Sequence, residues 1–435
     1  MSIGLFESPQ PLMELCASPA RGSGLSAKVI LAYSRLVESN TVPKDHILVL
    51  KAKGDDPEHG SKIVSKSLPE KTVQAHEISG IEELVQLITP EIEIVMLNGA
   101  HHLNDPQLAV VLHELVQSGR KVLVTGTMMN GVNTPHFIMG EIAAYADIHT
   151  WSRIPCSVGQ GCQERSSRTI PHLGVPRPAC YLHVQREEGL PDHKGHCFGQ
   201  IGAFTMYIGS MYAEKTEELA HIITLTKIPC ALFKSDFDTK LGDGKTNVSR
   251  NHTKTPAELI RVADGYHNAW KIHEIVHEKG LRAVFIDEPF MFGDKIPEVI
   301  ERLVWEGVQV TAGSITTSYE NKPFPVIPKL LCLADEVVDC YAFCSNKVHR
   351  GKPCGLSATR NQRWIQQGTE YLPISAGATT FLAGQEYSAT CRNDLVIPKY
   401  RKPIHEFPPV KSSSVPHWKL TPRYLRDNKV LEHSA

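Results

Sequence analysis

The run Tyr207-Ile208-Gly209-Ser210-Met211-Tyr212-Ala213-Glu214-Lys215-Thr216 sets a glycine, a lysine and a threonine at the spacing of a phosphate-binding loop. In such a loop backbone N–H groups surround the phosphate oxygens, the lysine reaches the β- and γ-phosphates, and the hydroxyl is offered to Mg²⁺. Gly209, Lys215 and Thr216 supply these parts, but the second glycine of the pattern is Glu214. Its carboxylate would repel a phosphate, and its Cβ burdens a position with demanding backbone angles. Downstream, Ala283-Val284-Phe285-Ile286 is a short apolar run of buried-strand type that ends in Asp287-Glu288. An acid at the end of a neighbouring strand is the second requirement of phosphoryl transfer, because it holds the metal ion.

Such groups are held in place by a sheet, and the chain predicts one in each half. Strands alternate with helices, the pattern of a mostly parallel sheet under helical cover. In the first half a helix over Lys28 to Val37 precedes a strand over His46 to Lys51; in the second, Cys230 to Lys234 is the counterpart strand. Ile92 to Gly99 corresponds to Arg282 to Glu288, and each is followed by an amphipathic helix (Pro106 to Ser118; Ile296 to Trp305) and another apolar strand (Lys121 to Thr125; Val308 to Ala312). Ala146 lies ten residues before Cys156, as Ala334 lies ten before Cys344. This agreement predicts a tandem duplication, with Asn98 and Asp287 at matching strand ends.

Further along come Tyr319-Glu320-Asn321-Lys322-Pro323-Phe324 and then Gly384-Gln385-Glu386-Tyr387-Ser388-Ala389-Thr390-Cys391-Arg392. With the phosphate loop, Asp238-Thr239-Lys240 and the strand-end Asp287-Glu288, the order resembles that of the thymidine kinases of the zinc-ribbon type. The resemblance covers roughly Pro19 to Asp394. It implies two tandem α/β domains of P-loop type with mostly parallel sheets, each with a small ribbon or lasso extension: 1–197 with its site lost, 198–400 with its site partly retained, and an extended tail over 401–435. It also implies roles for single residues. Lys215 would contact the phosphates, Thr216 and Asp287 would manage Mg²⁺, and Glu288 would accept the proton of the nucleoside 5′-hydroxyl. Lys240 would stand near the transferred phosphoryl group, and Tyr319 and Tyr387 would flank the base.

Departures from the family pattern leave the activity open. Glu214 replaces glycine, Phe290 replaces a glutamine, and Ser314-Ile315-Thr316-Thr317 stands where an Asp-Gly pair is usual. In the first half Gly24 is read at the lysine position, and Asn98-Gly99 stands where the strand-end acids belong. His101 and His102 read as surface histidines. The leading expectation is a catalytically silent scaffold or structural component; an active thymidine kinase using ATP and Mg²⁺ through the second half, and a nucleotide or nucleoside sensor, are the alternatives.

The family's zinc is held by two C-x₂-C pairs. Here the second half has Cys344-Ser345-Asn346-Lys347 and Cys391-Arg392-Asn393-Asp394, each lacking its second cysteine, although Cys354 or His349 could complete a set. The first half offers Cys156, Cys162, Cys180 and His183, so any bound zinc is expected there. With eleven scattered cysteines, reduced thiols and metal ligands are expected rather than a disulfide framework.

A net charge of −1 over 435 residues argues against nucleic acid or a polybasic membrane anchor as partner. No apolar run approaches the roughly 20 residues that span a bilayer, and Met1 to Glu7 lacks a basic start and a long apolar core, so a cytoplasmic location is expected. From Arg401 prolines and serines predict an extended tail. Trp418 and Tyr424 would dock it on a protein partner or on the chain's own first half.

Overall fold

The computed structural model describes residues 5–20, 24–131, 133–152, 154, 157, 168–172, 175–179, 202–235, 258–262, 268–345, 354–367, 370–373, 386–396 and 403–411. The first half builds a six-stranded parallel sheet from β1 (Met13–Ser18), β2 (Ile47–Ala52), β3 (His76–Ile78), β4 (Ile94–Asn98), β5 (Lys121–Thr127) and β6 (Ile148–Trp151), in the order β3-β2-β4-β5-β1-β6. Its helices are α1 (Leu25–Glu38), α2 (Ile81–Gln86), α3 (Leu108–Gln117) and α4 (Phe137–Tyr145). A hairpin of β7 (Arg168–His172) and β8 (Val175–Ala179) follows.

In the second half the parallel strands are β9 (Ala203–Ile208), β10 (Cys230–Ser235), β11 (Glu258–Val262), β12 (Ala283–Asp287), β13 (Gln309–Ser314) and β14 (Glu336–Asp339). Their order, β11-β10-β12-β13-β9-β14, repeats that of the first sheet strand for strand. Helices α5 (Lys215–Leu225), α6 (Trp270–Lys279), α7 (Ile296–Trp305) and α8 (Ile327–Leu333) fall at the corresponding places. Asn98 ends β4 and Asp287 ends β12, as expected from the sequence. The reason for the sheets is plain in the burial: β2, β4 and β12 are buried along their whole length, which only strands covered by helices on both faces can be.

Short strands make the extension of the second half. β15 (Ala342–Phe343) pairs with β16 (Ser357–Ala358), and β17 (Arg360–Gln367) lies between β18 (Glu370–Pro373) and β19 (Glu386–Thr390).

The halves meet through like elements. α4 packs against α8, closely enough that any side chain on Gly140 would run into the Pro328 carbonyl. β6 lies beside β14, where the His149 ring and the Asp339 carboxylate are 2.7 Å apart and the Trp151 indole donates to the Ala334 carbonyl at 3.3 Å. Each sheet is closed in the same way: Met13 N–H donates to Asp147 and Phe204 N–H to Asp335, both at 2.9 Å.

Residues 403–411 lie along the first half. The amides of Ile404 and His405 donate to Glu114 at 2.7 and 3.1 Å, the Pro408 carbonyl accepts from Arg120 at 3.0 Å, and Lys411 N–H donates to the Pro90 carbonyl at 2.9 Å. Trp418 and Tyr424 lie outside the described residues. No helix among the described residues is long and apolar enough to cross a membrane.

Candidate functional site

After β9 the chain passes from Gly209 to Glu214 and enters α5 at Lys215. A side chain at Gly209 would collide with the Cys340 carbonyl, so the loop can leave the strand there only without a Cβ. Glu214 stands at the N-cap with φ 56° and ψ 22°. This is the left-handed region that glycine adopts freely, and for a residue with a Cβ it costs roughly 1 to 2 kcal/mol. Lys215 is buried, and its Nζ donates to the carbonyls of Ser210 at 2.7 Å and Gly209 at 3.3 Å; burial pushes the ammonium pKa down. Thr216 Oγ1 is 3.4 Å from both carboxylate oxygens of Asp287. Glu288 follows in the left-handed region at φ 52°, its N–H donating to the Gly313 carbonyl at 2.8 Å and its Oε2 accepting from Ile315 N–H at 3.3 Å. The structure therefore brings Gly209, Lys215, Thr216, Asp287 and Glu288 to one edge of the sheet.

Two further groups reach the same edge without having been singled out by motif. Lys234, near the end of β10, places Nζ 2.7 Å from Asp287 in a nearly buried ion pair. Asn361, from β17, accepts the Met211 N–H through Oδ1 at 2.7 Å, while the Ser210 and Tyr212 hydroxyls donate to the Ala358 and Tyr387 carbonyls, each at 3.1 Å. A lysine within an otherwise apolar buried strand was the available signal for the first. The second depends on a strand distant in sequence and had none.

Arg363 lies against both Tyr319 and Tyr387, the two residues expected to flank the base. Its guanidinium carbon lies 5.2 Å from the centre of the Tyr319 ring and 5.9 Å from that of Tyr387, and the side chain is only 1% exposed. Phe290 is stacked on Phe324 with ring centres 4.1 Å apart.

The first half differs at the same positions. α1 opens at Leu25, and Gly24 is its N-cap with φ 73° and ψ 27°. Gly24 thus matches Glu214, and Leu25, rather than Gly24, stands in the lysine's place; the loop is one residue out of the register expected from the sequence. Ser26 Oγ accepts from Asn98 Nδ2 at 3.4 Å, repeating the Thr216 to Asp287 contact, and Gly99 at φ 74° repeats Glu288. Lys51, the counterpart of Lys234, turns away to the carbonyls of Asp56 at 2.8 Å and Lys62 at 3.2 Å. A cleft of about 550 Å³ remains, lined by Ser26, Asp55, Asn98, His102 and Thr125 among others. His101 and His102 line it half-buried.

A thymidine kinase family model matches residues 202–395. The thymidine kinase of Chloroflexus aurantiacus is 30% identical over 200 residues, spanning 93% of that protein and 44% of this chain. The chain belongs to the thymidine kinase family. The thymidine kinase of Thermococcus kodakarensis is 28% identical over 202 residues, covering 95% of its length, and that of Mycoplasma genitalium 28% over 187 residues, covering 78%.

Within this thymidine kinase fold the extension gathers a second set of ligands. Cys344, Cys354, Cys391 and Asp394 bring their ligand atoms within 4.8 Å of one another. The Cys344 and Cys391 sulfurs each lie 3.4 Å from Asp394 Oδ2, and the Cys354 and Cys391 sulfurs are 3.8 Å apart. Zinc bonds of about 2.3 Å to sulfur and 2.0 Å to oxygen separate tetrahedral ligands by roughly 3.5 to 3.8 Å, so these residues fit the ion. The loss of the second cysteine from each pair therefore does not scatter the site: Cys354 comes in from an intervening loop, and Asp394 takes the place at the end of Cys391-Arg392-Asn393-Asp394. Cys156, Cys162, Cys180 and His183, expected to hold zinc in the first half, lie outside the described residues, as does Lys240.

Proposed function

We propose that this chain is a tandem thymidine-kinase-like protein that has ceased to transfer phosphate and serves as a structural component, with residues 1–197 acting as a built-in partner for residues 198–400. The observation that carries the silent reading is Arg363. A guanidinium packed against Tyr319 and Tyr387 fills the space that the family resemblance gives to the base, and a buried cation so held is not readily displaced by a neutral ring. The phosphate side supports the same conclusion. Lys215 is spent on loop carbonyls, the Met211 amide on Asn361, and Asp287 on Lys234. Magnesium and a triphosphate do not fit these residues as they stand, because the groups that should meet them are committed to protein partners and Glu214 adds a carboxylate.

The matching strand orders support a duplication, and the pairing of α4 with α8 supports a first half that takes the part of a neighbouring subunit. The tail and the domain faces are the surfaces for a protein partner. The open first-half cleft favours a narrower second reading, nucleoside binding without transfer. Zinc is the structural ion of the extension, held by Cys344, Cys354, Cys391 and Asp394.

The test is direct. Purified full-length protein incubated with ATP, Mg²⁺ and thymidine should form no dTMP and should retain no thymidine in equilibrium dialysis through its second half. Robust turnover that is abolished by Lys215→Ala or Glu288→Gln would overturn the silent reading and establish a working kinase.

A further inference from the structure

α6 and α7 lead into the starts of β12 and β13, whereas the phosphate loop follows the end of β9. In a parallel sheet these are opposite edges, so the far ends of α6 and α7 lie away from everything described above. There His273 and His277, four residues apart on one face of α6, face Glu306, the residue that caps α7. Their Nε2 atoms are 3.2 Å apart and lie 3.0 and 2.8 Å from Glu306 Oε2.

The surroundings hold this arrangement in place. Glu306 is 3% exposed, and its N–H donates to the carbonyls of Arg302 at 3.1 Å and Leu303 at 3.2 Å. Arg302 Nε holds Oε1 at 2.5 Å, which leaves Oε2 directed at the two imidazoles. Trp270 sets its ring edge-on against His273, with centres 5.6 Å apart.

We infer that His273, His277 and Glu306 form a binding site for a divalent transition cation of the zinc class, clamping α6 to α7. Two imidazole nitrogens and a carboxylate oxygen are ligands that zinc accepts at about 2.0 to 2.2 Å, which places tetrahedral neighbours roughly 3.3 Å apart. The three atoms stand at 2.8 to 3.2 Å, so an ion enters with shifts of a few tenths of an ångström. Without an ion both imidazoles can donate to the Glu306 carboxylate, whose Oε1 also lies 3.2 Å from His273 Nε2, and these hydrogen bonds hold the three ligands in one cluster. One cation satisfies all three, with the fourth position left to water. Arg302 is then the outer partner that orients the carboxylate. Mg²⁺ and Ca²⁺ prefer all-oxygen shells and are not expected here.

The test uses full-length protein stripped with chelator and titrated with Zn²⁺, with bound metal counted after gel filtration. Wild-type protein should hold one more zinc equivalent than His277→Ala, and Glu306→Gln should lose the same equivalent, while Mg²⁺ gives none. Co²⁺ separates this site from the cysteine cluster. In protein carrying Cys344→Ser, Cys354→Ser and Cys391→Ser together, Co²⁺ should give visible bands without thiolate charge transfer from that cluster, and these should vanish when His273→Ala is added. Zinc should also raise the Tm of this protein but not of the variant that also lacks His273. Equal zinc counts in wild type and His277→Ala would overturn the site. So would Co²⁺ bands that survive loss of both histidines. Neither outcome depends on whether the second half transfers phosphate.

Discussion

Arg392 donates through Nε to both oxygens of Asp147, at 2.8 and 3.0 Å, across 245 positions of sequence. Arg360 joins the same carboxylate at 3.0 Å, and all three side chains are nearly or wholly buried. The closing motif of the second half is therefore completed by an acid of the first. Burial alone would push the Asp147 carboxyl up, but the two guanidinium groups hold it below the ordinary carboxylate range.

Removing this acid should be costly, because it strands two buried cations. Asp147→Ala is expected to lower stability by about 3 to 5 kcal/mol in urea unfolding, the range for breaking one side of a buried ion pair. With the folded pKa depressed, the stabilisation is present above the unfolded value and is lost only as pH falls through the folded one. A pH scan of the wild type from neutrality down to about 5 should therefore show no loss from this group.

His149 titrates in the opposite sense. Burial alone would push its pKa down, but the adjacent Asp339 outweighs this and raises it above 6.5. A raised imidazole stabilises the fold fully below 6.5 and ceases to as pH climbs through the folded value. Thermal unfolding from pH 6 upward should show a falling Tm that His149→Gln flattens; an unchanged slope in the variant would assign the dependence elsewhere.

Glu214→Gly should restore nucleotide binding before it restores turnover. The substitution removes the carboxylate and the left-handed strain, so that phosphate oxygens can compete with the loop carbonyls for Lys215, while Asp287 keeps its pairing with Lys234. Isothermal titration with ATP and Mg²⁺ should then detect binding absent from the wild type. Turnover should lag, because Arg363 and Lys234 still hold their positions.

Cys391→Ser should lower the zinc content by one equivalent and loosen the extension. Since Asn361 and Ala358 of that region bond Met211 and Ser210, protease cleavage near the phosphate loop should become faster in the same variant.

Truncation after residue 402 should destabilise the first half. It removes the amides that serve Glu114 and the carbonyl that serves the fully buried Arg120. A loss of about 1 to 3 kcal/mol is expected from the stranded polar groups, read as a lower urea midpoint. Glu114→Ala alone should reproduce part of it.

Much of the fold was legible because parallel strands buried on both faces declare themselves as apolar runs. Ile94–Asn98 and Ala283–Asp287 were readable for that reason, and so were the acids and amides at their ends. The loop register of the first half was not. Gly24 and Leu25 differ by one position, and only the start of α1 decides which takes the lysine's place. The cysteine cluster was misjudged for a related reason. Spacing rules recognise paired cysteines on one knuckle, whereas Cys354 comes from a separate loop and the partner of Cys391 on its own knuckle is an aspartate, Asp394. Arg363 carried no signal at all, since its meaning depends on two tyrosines that only folding brings to it.

The contact of α4 with α8, and of β6 with β14, joins surfaces that in separate chains would meet only by collision. Here one polypeptide carries both, so their encounter is governed by an effective concentration fixed by the tether and not by how much protein is present. Dilution that would dissociate a two-chain assembly leaves this contact intact. The folded population should accordingly show a Tm independent of protein concentration, and the association persists even at copy numbers too low for separate subunits to find each other.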